Sequence, residues 1–278
     1  MVVRAPYLGL DRRSFFNHSV PAATLDDYIA LLGCYRERRA LPQTIILGID
    51  PFVFDKGANR SKKWKLLMES YYYLLRLMTD QHSPVHYFKE LLTAKTEKAK
   101  QLLTYTYTSV NYHYLKEVRE QGFDYKVVNT TAVDDWLIAP DGSLYRPFKL
   151  RFQDDGTTQK KITRALNTGK ERYSTISFQK RFTRLIDYLL ESGSRVVFFL
   201  PPYPPPIYQA CVKKAPCTIA SIETMLRSLA RSRNIPIYGS YDPGRFNLSV
   251  QDFIDQSHAR DYVVRDIFKE YQEVAREY

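Results

Sequence analysis

Apolar residues along this chain fall into two rhythms, unbroken runs and runs spaced three and four apart, and the two alternate. An unbroken β-branched or aromatic run of roughly four to eight residues suits a strand buried on both faces. Spacing of i, i+3, i+4 instead marks one face of a helix. "QTIILGID" (43–50), "RVVFFL" (195–200) and "IPIYGS" (235–240) belong to the first class, and "SFFNHSV" (14–20) reads as a further buried strand ahead of them. Helical spacing carries Leu25, Ile29, Leu32 and Tyr35 behind Thr24, with Asp27 in capping-box position and acids in the first turn. It returns in Phe178, Phe182, Leu185, Ile186, Leu189 and Leu190, which stop at Gly193, and in Ile222, Met225, Leu226 and Leu229. Val264, Ile267, Phe268, Tyr271 and Ala275 mark a closing helix. Strands separated by helix-length segments predict a parallel sheet with helices on both faces, a three-layer α/β/α fold.

Residues of about 54–175 interrupt that alternation, so the core is expected over 1–53 and 176–278 with 54–175 inserted. The insertion reads as helices over 62–78, 83–103 and 109–121, then a polar section in which "WLIAPDGSLYRP" predicts a β-hairpin around Pro140-Asp141-Gly142. It would form a lid or subdomain over one end of the sheet. Tyr71, Tyr72 and Tyr73 are adjacent, so on a helix they point in different directions; packing explains them better than a sugar-stacking platform.

Charge narrows the partners only slightly. The excess of 41 Lys+Arg over 30 Asp+Glu gives +11, which favours anionic surroundings. The charge is scattered, and its densest run, "RSKKWK" (60–65), reads as a solvated helix start. With no readable nucleic-acid motif, a nucleic-acid partner is not expected. No apolar run approaches the ~20 residues of a membrane span, and no signal peptide or anchor stands at Met1. Of three cysteines, Cys34 reads as a small core residue, whereas Cys211 and Cys217 could pair in an oxidising compartment. No Cys/His cluster suggests a metal, and no cofactor is expected.

In an open parallel sheet, ligands bind beyond the carboxyl ends of the strands. The segments at 17–24, 48–52, 201–206 and 241–258 fall there, and the last ends in "DFIDQSH". Asp255-x-x-His258 can bring a carboxylate to one imidazole nitrogen, fixing the tautomer and leaving the other nitrogen to act as a general base. The spacing alone is common, and Asp255 could equally cap the following turn.

Three ordered blocks, spanning about half of the chain, resemble the SGNH (GDSL-type) hydrolase and acyltransferase superfamily. The resemblance is closest to bacterial envelope-associated SGNH-like proteins that include sugar O-acetyltransferases. "DFIDQSH" before a final helix matches the superfamily's Asp-x-x-His. "NHSVPAATLDDY" resembles its Asn-x-Gly-x-x-Gly-(Ala)-Thr turn, and "ILGIDP" its buried strand ending in Gly-x-Asn-Asp. The resemblance implies an esterase or O-acyltransferase acting on an acyl-bearing or polysaccharide substrate, with His258 as base, Asp255 as its orienter, and an extracytoplasmic setting. Ser19 and Ala22 stand where the family has glycines, the second of which lends a backbone N–H to the oxyanion hole; Asp50 stands where an asparagine contributes. A carboxylate there would repel an oxyanion, so Asp50 is expected to fix a loop or touch substrate.

The largest departure precedes these blocks. The family's nucleophile lies in Gly-Asp-Ser or Gly-x-Ser-Arg at the end of a first strand. If Arg4 is that arginine, the serine position is Val3. The expectation is therefore a chain whose first strand and nucleophile are missing, truncated or inactive, with the nucleophile unassigned. Ser19 is the best stand-in, ahead of Thr24 and Ser257. The alternative is a non-catalytic glycan- or partner-binding protein of a cell-envelope assembly.

Overall fold

The computed structural model describes residues 3–10, 14–20, 22–54, 67–79, 92, 96, 137–138, 141–145, 156–167, 179–213, 217–269 and 271. Three unbroken apolar runs form one parallel sheet. β1 (Thr44–Gly48) lies on β4 (Arg195–Leu200), with Thr44 opposite Arg195 and Gly48 opposite Phe199. On its other edge β4 pairs with β5 (Ile237–Gly239), Phe198 opposite Ile237. β4 is central and buried from Val196 to Leu200, as expected of a strand covered on both faces.

Successive strand residues point to opposite faces, and β4 shows what each face meets. Phe198 contacts Phe182 of α4 (Gln179–Glu191), ring centroids 5.9 Å apart, and Phe182 in turn meets Phe54. Phe199 contacts Phe268 at 4.9 Å on the opposite face, beside α7 (Asp261–Ile267). Val197, Phe199, Tyr238, Phe253, Ala259, Val263, Val264 and Ile267 form one apolar cluster there. The molecule is therefore mixed α/β with a parallel sheet whose two faces are both covered.

Contacts divide the chain into two compact units: Met1–Leu25, Pro42–Arg60 and Thr130–Tyr278, which hold the sheet, and Asp26–Leu41 with Ser61–Asn129. The second unit contains α1 (Leu25–Glu37) from Asp26 onward and α2 (Met68–Thr79). These helices meet backbone to side: a Cβ on Gly33 would lie 2.0 Å from the Ser70 carbonyl oxygen. Around that contact Ser70 donates to Glu37 (2.7 Å) and Tyr71 to Asp26 (3.1 Å). Of the three adjacent tyrosines only Tyr71 is buried, and its ring meets Tyr72 edge-on.

Three segments depart from the expectation. Residues 14–20 form no strand, and Phe16 is 54% exposed. The Asn17 side chain accepts from both the backbone N–H (2.8 Å) and the hydroxyl of Ser19, turning the chain where a ladder would need it extended. "PPYPPP" runs directly into α5 (Pro205–Val212), because proline is tolerated in the first turn, where its missing N–H has no intrahelical partner anyway. α3 (Thr158–Asn167) arises in the section read as polar and turn-rich; its buried residues are Thr158 and Ile162, too few to write an apolar stripe. The expected hairpin is present: β2 (Leu137–Ile138) and β3 (Leu144–Tyr145) pair antiparallel across a turn containing Asp141-Gly142. α6 (Thr218–Ser232) buries Ile222 and Leu226. Of the helix expected over 83–103 only Leu92 and Thr96 are described, both helical; the helix expected over 109–121, Phe178 and Ala275 lie outside the described residues.

Among the described residues, no helix is long and apolar enough to cross a membrane. Cys211 and Cys217 form a disulfide, their Cα atoms 5.1 Å apart.

Candidate functional site

Because the three strands are parallel, their carboxyl ends open on one side of the sheet. From β1 the chain enters Ile49-Asp50, from β4 Pro201–Pro204, and from β5 Ser240-Tyr241, and these exits are hydrogen-bonded together. Asp50 accepts from the Tyr203 hydroxyl (2.9 Å) and the Phe52 N–H (2.8 Å), while the Tyr241 hydroxyl donates to the Ile49 carbonyl (2.9 Å). Both Asp50 oxygens thus brace the β1 exit. Glu223 of α6, missed by sequence reasoning, secures the β5 exit. It is 7% exposed and accepts from the Ser240 hydroxyl (2.7 Å), the Tyr241 N–H (2.9 Å) and Arg227 (2.9 Å). The signal available was an acid beside Ile222 on the inward face of an otherwise regular stripe.

Beyond β5 the chain makes two short 3₁₀ turns before the Asp–His stretch. The second, Val250–Asp252, carries a capping box between Ser249 and Asp252. Burial pushes the Asp252 carboxyl up, but hydrogen bonds from Tyr262 and Ser249 and the nearby Arg260 outweigh it and hold the group below the usual carboxylate range. Its partner, the Tyr262 hydroxyl, is pushed up by burial and by that same carboxylate. Arg260 is almost fully buried and donates from Nε to the Gln251 carbonyl (2.7 Å).

Between these anchors the chain pinches into a small loop. Phe253 and Ala259 bridge antiparallel, and the Ile254 N–H donates to the His258 carbonyl (2.8 Å). Inside it, Asp255 Oδ1 accepts from the N–H of Ser257 (2.8 Å) and of His258 (3.0 Å). Both carboxylate oxygens lie 2.8 Å from His258 Nδ1. One carboxylate therefore fixes the turn and holds the ring. An ionised carboxylate can only accept, so a neutral imidazole facing it presents the Nδ1 proton and keeps its lone pair on Nε2. The imidazole side chain is 36% exposed and that of Asp255 24%, which leaves solvent and solutes access to the ring.

The Asn17 turn forms a second group. Asn17 Nδ2 donates to the Val3 carbonyl (2.8 Å), which ties this turn to the start of the described chain. The Ser19 hydroxyl is spent on Asn17 Oδ1. Asn17 N–H donates to the Asp141 carbonyl (2.7 Å), so the tip of the hairpin sits on this turn. Arg4, 5% exposed, pairs with Asp261 (2.8 Å), the first residue of α7. Val3 and Phe15 pack against the same apolar cluster as Phe253 and Ala259, which seats the Asn17 turn and the Asp–His loop on one floor.

Ala22 lies between these groups in sequence with φ +49°, in the left-handed region that glycine enters without cost. An alanine there is strained by about 1–2 kcal/mol. Ala22→Gly is accordingly expected to be neutral or stabilising by up to about 1 kcal/mol, since relief of strain offsets glycine's greater unfolded-state entropy. Urea unfolding of the two chains measures this, and a loss of about 1 kcal/mol, as at an ordinary φ, would contradict it.

The structure thus assembles Asp255 with His258, Ser19 with Asn17 and Val3, and Asp50 with Tyr203. Among the described residues, no group of three or more His, Cys, Asp or Glu side chains is arranged to hold a metal ion. Comparison of the chain with protein-family models, curated proteins and solved structures returns no match to any of them.

Proposed function

We propose that this chain is an SGNH-like protein of the esterase or O-acyltransferase type, with His258 as general base and Asp255 as the residue that orients it. The observation that carries the reading is the Asp255 carboxylate held 2.8 Å from His258 Nδ1, on a loop beyond the carboxyl end of a parallel sheet. A nucleophilic hydroxyl would give its proton to Nε2, and the adjacent carboxylate would stabilise the imidazolium that results. Helices meeting both faces of β4 support the superfamily's three-layer arrangement. The left-handed backbone of Ala22 supports its assignment to the second glycine of the oxyanion turn, with its N–H as a donor. The acceptor class follows from the resemblance, an acyl-bearing envelope glycan. The Cys211–Cys217 disulfide supports an oxidising, extracytoplasmic setting.

Position 3 carries no hydroxyl, so the chain itself is expected to hydrolyse esters no faster than a His258→Ala control. Val3→Ser supplies the hydroxyl beside Arg4 and is expected to create hydrolysis of an activated acetyl ester. Adding His258→Ala should then cut that rate by about a hundredfold or more, the usual share of a positioned base. Activity in Val3→Ser that ignores His258 would sink the reading.

A second reading, a non-catalytic glycan- or partner-binding protein of an envelope assembly, is favoured by one observation. Val3 packs against the apolar cluster rather than standing open to solvent. Polysaccharide binding that survives both Asp255→Asn and His258→Ala, with no gain of hydrolysis in Val3→Ser, would select it.

A further inference from the structure

The loop that holds Asp255 and His258 is braced by a residue from far upstream. Thr158, the first residue of α3, is fully buried, and its hydroxyl points at two successive carbonyls, Phe253 at 3.2 Å and Ile254 at 3.3 Å. A hydroxyl has one proton, so this is a shared bond across both oxygens. Lys161, one turn further along α3, reaches the Ile254 carbonyl from Nζ at 3.5 Å. The two carbonyls belong to successive peptide units: the Phe253–Ile254 unit also carries the N–H that donates to the His258 carbonyl, and the Ile254–Asp255 unit leads into Asp255. A relay thus runs from the Thr158 hydroxyl through the Phe253–Ile254 peptide unit to the backbone of His258.

We propose that Thr158 is a positioning residue for the Asp255–His258 pair. The inference rests on the acid–base reading above. Between the bridge residues Phe253 and Ala259, the loop has no ladder of its own beyond the Ile254–His258 bond. The orientation of the two peptide units that flank Ile254 therefore sets the entry of Asp255 relative to His258. Both ring-to-carboxylate distances are 2.8 Å, so a small rotation of either unit would loosen the contact that keeps the proton on Nδ1. A buried hydroxyl donor to two carbonyls resists such a rotation directionally, which apolar packing cannot do.

Ring ¹⁵N spectra of the full chain test this, because they report which nitrogen of the neutral imidazole carries the proton. The chain has five histidines, and His258→Gln assigns the signal. The wild-type ring is expected as the Nδ1–H tautomer. Thr158→Val keeps the side-chain shape but removes the hydroxyl. It should shift the Nδ1–H to Nε2–H ratio about fivefold toward Nε2–H, the scale of one lost hydrogen bond. Thr158→Ser, which restores the donor, should return the wild-type ratio, a rescue that a purely space-filling role would not give. Thr158→Ala provides a second hydroxyl-free chain should the valine variant not fold. An unchanged ratio in a folded hydroxyl-free variant overturns the proposal, as does a failure of both such variants to fold, which would make the hydroxyl a requirement of the fold. Asp255→Asn separates the two readings. If it leaves the tautomer unchanged, the Asp255–His258 reading itself fails; if it changes the tautomer while Thr158→Val does not, only the positioning role fails.

Discussion

Arg4→Met is expected to lower the free energy of unfolding by about 3–5 kcal/mol, the usual cost of leaving one member of a buried ion pair without its partner. The side chains of Arg4 and Asp261 are 6% and 11% exposed, so water cannot replace the lost guanidinium. Asp261 is also the first residue of α7, where a negative charge is favoured, but that interaction is worth only about 0.3–1 kcal/mol and cannot offset the loss. The double variant Arg4→Met with Asp261→Leu should recover most of the stability, because neither member of the pair is then left buried without the other. Urea unfolding of the four chains measures the coupling. A single-variant loss below about 1 kcal/mol would place this pair with solvent-exposed ion pairs.

The second large effect is expected at the hairpin tip. Gly142 has φ +74°, and a Cβ there would stand 2.2 Å from the Asn17 carbonyl oxygen and 3.0 Å from the Phe16 ring. Gly142→Ala combines a strained left-handed backbone with a clash against main chain that cannot step aside. The cost should reach about 2–5 kcal/mol, the sum of about 1–2 for the conformation and about 1–3 for overpacking. The amide resonances of Asn17 and Ser19 should move with it, since Asn17 N–H donates to the carbonyl of neighbouring Asp141. Unchanged resonances and a stability within about 0.5 kcal/mol of wild type, the range of an ordinary surface change, would show that the hairpin does not hold the turn.

These two positions explain why the sheet was more legible than the site. β1, β4 and β5 are unbroken apolar runs, and burial on both faces writes itself directly into composition. The pair Asp255–His258 was legible because it is local, three residues apart on one loop. Residues 14–20 misled because Phe15 and Phe16 resemble a buried strand, while the polar turn at Asn17-x-Ser19 decides the backbone. Thr158 and Gly142 were silent for another reason. Their roles depend on partners 95 and 125 residues away in sequence, and nothing in "GTTQKK" or "PDGS" announces those partners. Glu223 lies between these cases, legible as an acid on an apolar stripe but not as the clamp on the β5 exit.

Asp50 illustrates how chemistry can be narrowed before geometry completes it. A carboxylate is a poor oxyanion donor on electrostatic grounds alone. The bonds from Tyr203 and Phe52 show how that charge is used at the β1 exit.

The most direct measurement of the acid–base role proposed for Asp255 and His258 is covalent trapping. Val3→Ser, treated with a fluorophosphonate and examined by intact-mass and peptide mass spectrometry, should carry one phosphonyl group at position 3. Labelling should slow by about a hundredfold or more when His258→Ala is added, and the wild-type chain should remain unlabelled at that position. Absence of the adduct in a folded Val3→Ser chain, or labelling at the same rate without His258, would contradict the role assigned to the pair.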